Sequence, residues 1–61
     1  MIDNQELNTV IDFIEVICDD KYSEEEIIKA CNSIFRKKGS FTHSDNISDV
    51  LVELQKYRYE N

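Results

Sequence analysis

Leu7, Val10, Ile11, Ile14, Ile17 and Cys18 follow one another at steps of three, one, three, three and one. That spacing places them on one face of an α-helix. Phe13 and Val16 add a shoulder, making the apolar face wider than one neighbouring helix needs. The width predicts contact with two other helices or with a second copy of the chain. Gln5, Asn8, Asp12, Glu15 and Asp19 form the opposite, wet stripe. Asp3, followed three residues later by Glu6, predicts a capping box at the start of this helix, expected over about residues 4–19.

The segment YSEEEIIKAC, Tyr22 to Cys31, opens a second helix. Ser23 and Glu26 can cap each other, and Tyr22 and Ile27 have the spacing of a hydrophobic staple. Glu24, Glu25 and Glu26 occupy the first turn, where the helix dipole favours anions; Arg36, Lys37 and Lys38 occupy the last, where it favours cations. Ile27, Ile28, Cys31, Ile34 and Phe35 form the apolar face, and Gly39 is the stop, which predicts a helix over about 23–38. Phe41 is expected as a loop anchor against the core. A third helix, over about 45–58, buries Ile47, Val50, Leu51, Leu54 and Tyr57 and leaves Val52 off its apolar face. Its start is open between a Thr42–Asp45 and an Asn46–Asp49 capping pair. The expected fold is all-α: one compact three-helix bundle spanning 1–61 as a single domain, with self-association as a further expectation.

Composition supports that picture. The 61 residues are 41% hydrophobic and 33% charged, with no Pro and one Gly, too few turn residues for an all-β fold. A core this small supplies roughly 3–5 kcal/mol. The longest apolar runs, Val16-Ile17-Cys18 and Val50-Leu51-Val52, are far short of a membrane span. No secretory pattern opens the chain, so a cytoplasmic protein is expected, and Met1 with the polar close RYEN fits a complete small reading frame. The wealth of Ile, Asn, Lys, Asp and Glu fits an AT-rich source such as a bacterium or its phage.

Charge is unevenly spread. Residues 1–26 hold nine acids and one Lys, a balance of −8, and residues 27–61 hold four acids and six bases, a balance of +2. An acidic first half repels nucleic acid and steers basic protein surfaces toward it. Asp12, Glu15 and Asp19 repeat about 5–6 Å apart on a helix face, close to phosphate spacing along a nucleic-acid strand. A partner that itself binds nucleic acid therefore fits. The expected contact residues are Asp12, Glu15, Val16, Asp19 and Val52, the partner another protein with a basic surface, and a homodimer the further case.

Other chemistries find less support. The acids of Asp19 to Glu26 lack the alternation and central Gly of a calcium loop. Cys18 and Cys31 would lie about 12 Å apart along an antiparallel hairpin, too far for a disulfide, which predicts two free, buried thiols. With His43 the only His, neither a zinc quartet nor a catalytic triad is expected, and no cofactor or enzymatic activity. An alternative is a helix-turn-helix nucleic-acid binder using the 36–43 segment, with Arg36, Lys37, Lys38 and Arg58 as contacts. Against it stand the net charge of −6, a connection expected to exceed the usual three or four residues, and Asp49 in the third helix.

YSEEEIIKAC also resembles the second-helix opening of ubiquitin-associated domains, which carry an aromatic, then Ser and acids, then an Ile or Ala pair. The resemblance covers about ten residues. It implies a three-helix module gripping its partner with a hydrophobic patch from the first loop and third helix. Asp20-Lys21 stands where that family has Met-Gly, and the second loop is expected to be longer.

Overall fold

A computed structural model of the chain describes residues 2–59, with side chains described through Tyr57. Helix α1 spans Asn4–Ile17, α2 spans Glu24–Lys38 and α3 spans His43–Tyr59. Each helix packs on both others, and no strand occurs among the described residues. The chain is an all-α three-helix bundle. Among the described residues no helix is long and apolar enough to cross a membrane.

The helix ends show where local chemistry decides the fold. Asp3 caps α1, its Oδ1 accepting the Gln5 amide at 2.8 Å. The expected capping box does not close, because Glu6 turns to α3. Its Oε1 accepts the His43 amide at 2.6 Å and lies 2.8 Å from His43 Nδ1. At its other end α1 stops at Ile17, two residues before the expected Asp19. The Asp20 amide bonds the Glu15 carbonyl at 3.1 Å, the long bond of a Schellman turn. Asp19 and Asp20 sit at φ 53° and 59°, in the left-handed region that such a turn ordinarily reserves for Gly.

The opening of α2 forms as its sequence predicts. Ser23 Oγ accepts the Glu26 amide at 3.2 Å, and Glu26 returns a carboxylate oxygen to the Ser23 amide at 2.9 Å. Ser23 is itself the cap, so the helix proper begins at Glu24. Gly39 ends it at φ 80°, donating its amide to the Phe35 carbonyl at 2.7 Å.

Of the two starts open to α3, Thr42 with Asp45 forms: Thr42 Oγ1 accepts the Asp45 amide at 3.3 Å. The helix therefore begins at His43, two residues earlier than expected, and continues through Tyr59, one past the expected end. This leaves only residues 39–42 between α2 and α3, so the connection is no longer than the usual helix-turn-helix link, contrary to expectation. Asn46 becomes a buried polar group. Its Oδ1 accepts the Thr42 amide at 2.9 Å and its Nδ2 donates to Asp49 at 3.2 Å, so the cost of burying an amide is offset by bonds. Asp49 in turn accepts Lys38 Nζ at 3.0 Å, tying the end of α2 to α3.

The core joins Val10, Ile11 and Ile14 of α1 with Ile27, Ala30, Cys31 and Ile34 of α2 and Val50 and Leu54 of α3. Phe41 closes it from the connection, as expected of an anchor. Both cysteines are free; Cys31 is buried and Cys18 half-buried. Burial pushes the Cys31 thiol up to about 11.

Candidate functional site

The apolar face of α1 is wider than the bundle can cover. Val10, Ile11 and Ile14 fill the core, while Phe13 remains 48% exposed, Val16 80% and Ile17 47%. Ile17, expected on the core face, lies outside the core, whereas the next residue, Cys18, packs against it. Phe13, Val16 and Ile17 lie three and four residues apart and so share one side of the helix. Asp12 is exposed beside them and Glu15 is half-buried. Asp19 is exposed but stands in the turn, so the acidic stripe keeps its helical repeat only from Asp12 to Glu15.

Between α1 and the start of α3 runs a shallow groove of about 130 Å³, lined by Thr9, Val10, Phe13, His43, Ser44 and Ile47. Glu6 and His43 brace one end of it by joining the two helices. The His43 amide, and then its ring, hold the Glu6 carboxyl below its ordinary range by hydrogen bonding to the charged form. No local signal announces this contact, since the partners are 37 residues apart in sequence.

A second groove, of about 180 Å³, separates α2 from α3. Here Lys37, Lys38 and Lys56 surround Val52 together with Asp49 and Glu53. Lys38 Nζ lies 3.0 Å from Asp49, and Lys37 and Lys56 each 3.8 Å from Glu53 Oε1. The Lys38 hydrogen bond, followed by that of Asn46, keeps the Asp49 carboxyl below its usual range. The lysines at the end of α2 therefore face α3 carboxylates.

The structure divides the residues expected at a contact. Asp12, Glu15, Val16 and Asp19 lie on α1 and the turn after it, whereas Val52 lines the α2–α3 groove. The alternative basic set is divided too. Lys37 and Lys38 are ion-paired, Arg36 is exposed in the last turn of α2, and the Arg58 side chain lies outside the described residues. The first turn of α3, where a recognition helix reads bases, carries Asp45.

The acids between Asp19 and Glu26 also resolve into parts. Glu24, Glu25 and Glu26 sit at the N-terminal end of α2, where its dipole favours them. Asp19 and Asp20 follow the C-terminal end of α1, where the dipole disfavours anions. Among the described residues, no three His, Cys, Asp or Glu side chains converge as metal ligands. No protein-family model, curated protein or solved structure matches the chain.

Proposed function

We propose that this protein is a non-enzymatic protein-binding module that meets a basic partner surface with the outward face of α1, acting as a regulator or inhibitor. The observation that carries the reading is the exposure of Phe13, Val16 and Ile17 on a helix that has no Lys or Arg. Contiguous exposed apolar side chains mark contact surfaces. Asp12, Glu15 and Asp19 beside them supply the field that draws a basic partner and rejects an acidic one. Val52, on the α2–α3 side, is outside the proposed contact.

Two features support binding over catalysis. The grooves, about 130 and 180 Å³, are smaller than the roughly 300–1,000 Å³ of typical small-molecule sites. The short interhelical contacts Glu6–His43 and Lys38–Asp49 tie the start of α1 and the end of α2 to α3, which is a task of the fold. The nucleic-acid reading is weaker, because Lys37 and Lys38 would have to leave their carboxylates to meet phosphate.

The test is retention of a partner from lysate by the immobilised chain, compared with two triple variants of equal charge change. One carries Asp12→Asn, Glu15→Gln and Asp19→Asn; the other carries Glu24→Gln, Glu25→Gln and Asp45→Asn. Loss of the same retained protein from the first variant alone is expected. Equal retention by the first variant and the unaltered chain would refute the contact.

A further inference from the structure

We propose that the groove between α1 and the start of α3 receives one apolar anchor side chain of a basic amphipathic helix, whose cations meet Asp12 and Asp19. The inference rests on the reading of α1 as the contact face and adds the shape and charge of what it holds.

The groove sets the size of the anchor. Its volume of about 130 Å³ is close to the roughly 150 Å³ of an apolar cavity that admits benzene, so one Leu- or Phe-sized side chain fits. Val10, Phe13 and Ile47 give that side chain apolar walls. Val16 and Ile17 carry the apolar strip onward from Phe13. From Thr9 to Ile17 the strip runs about 12 Å along α1 at 1.5 Å per residue, the length of about two helical turns. Helices that dock in grooves present anchors at such spacings.

Charge selects the kind of helix. α1 holds no Lys or Arg, and α3 holds none before Lys56, which faces the other groove. Glu6 is already engaged by His43, whereas Asp12 and Asp19 are exposed. A second copy docking through α1 would set acid against acid, and an anionic lipid surface would be repelled. A helix with Lys or Arg beside its apolar stripe complements both the strip and its acidic border.

The test uses the labelled full chain and two synthetic helical peptides of about 18 residues, long enough to hold a helix. Both carry the same Leu stripe, one flanked by Lys and the other by Glu. The Lys peptide is expected to bind, shifting the amide resonances of Thr9, Phe13 and Ile47, and the Glu peptide is not. Phe13→Ser, which leaves the charge unchanged, should weaken binding about tenfold or more, and Val52→Ser should leave it unchanged. Thr9→Arg, at an exposed position, should abolish binding and provides a second route if Phe13→Ser melts early.

The proposal is overturned if both peptides bind alike, or if neither binds. It is also overturned if the shifts centre on Lys37 and Lys56, or if the Phe13→Ser chain binds as before. Doubling of the mass with concentration, abolished by Phe13→Ser, would make the occupant a second copy and overturn it equally. Failure here, with the retained protein still released by neutralising Asp12, Glu15 and Asp19, would remove the groove and leave the α1 contact standing. Groove binding with no such release would do the reverse.

Discussion

Asp19 stands at the end of α1 against two local preferences. It holds φ 53°, a conformation that costs an L-residue about 1–2 kcal/mol, toward the lower end for a short polar side chain. Its carboxylate also follows the negative end of the α1 dipole, a further ~0.3–1 kcal/mol at low salt. Asp19→Gly removes both penalties and gives back about 0.5–1 kcal/mol through the greater freedom of Gly in the unfolded chain. The net gain is therefore about 1 kcal/mol, and for a domain of this size that raises the melting temperature by roughly 4–8 °C. Asp19→Asn keeps the backbone penalty small and removes only the charge, so it should gain about 0.3–1 kcal/mol. Circular-dichroism melts at low and high salt separate the two parts. Salt should shrink the gain of Asp19→Asn, while the conformational part of Asp19→Gly persists. An Asp19→Gly chain melting at or below the unaltered one would refute the turn geometry and the reasoning built on it. If the gain is found, Asp19 is a residue held at the expense of stability, as residues of contact surfaces often are.

The mirror experiment is Gly39→Ala. A Cβ there meets nothing within 4 Å, so the whole cost is that of φ 80°, about 1 kcal/mol of destabilisation in a urea melt. Acid stability should depend on Glu6 and Asp49. Both carboxyls are held below their ordinary values of 4.5 and 3.8, so their stabilisation is present above those values and lost as pH falls through the lowered ones. Chains carrying Glu6→Gln and Asp49→Asn should lose less stability on acidification, read as a smaller fall of the urea midpoint between about pH 5 and pH 2; an unchanged slope would contradict the two contacts. Cys31, fully buried and with its thiol raised to about 11, should resist iodoacetamide in the folded chain while half-buried Cys18 reacts first; equal labelling rates would contradict the packing of α2.

Most of the bundle was legible because its signals are local. Ser23, Glu26 and Gly39 specify both ends of α2 within a few residues of sequence, and all three act as their types suggest. The core face of α1 followed from its spacing. Ala30 is fully buried yet absent from the apolar pattern, since a small side chain adds little to periodicity while fitting well where helices approach. What the pattern could not carry depends on partners distant in sequence. Glu6 has the spacing of a capping residue, and only its proximity to His43 in the folded chain diverts it. Asn46 and Asp49 have the spacing of a cap but serve a link from Thr42 through buried Asn46 to exposed Lys38. The early end of α1 was hidden for a related reason: Asp19 and Asp20 take a turn that a sequence would usually mark with Gly. The width of the α1 face is legible in the sequence, but whether Phe13 or Ile17 lies inside the core depends on the neighbouring helices. Val52 lies off the apolar face of α3, as its spacing predicts, yet its separation from the acidic stripe depends on how α2 and α3 meet.

Val16 and Val52 offer the most direct test of the proposed contact. Both are exposed, one beside the acids of α1 and the other among the lysines of the α2–α3 groove. A photoreactive phenylalanine analogue is placed at each position in turn, and the chain is irradiated in lysate. A discrete covalent adduct to another protein from position 16, with none from position 52, is the predicted result. An adduct from position 52 alone would place the contact on the basic side and contradict the account.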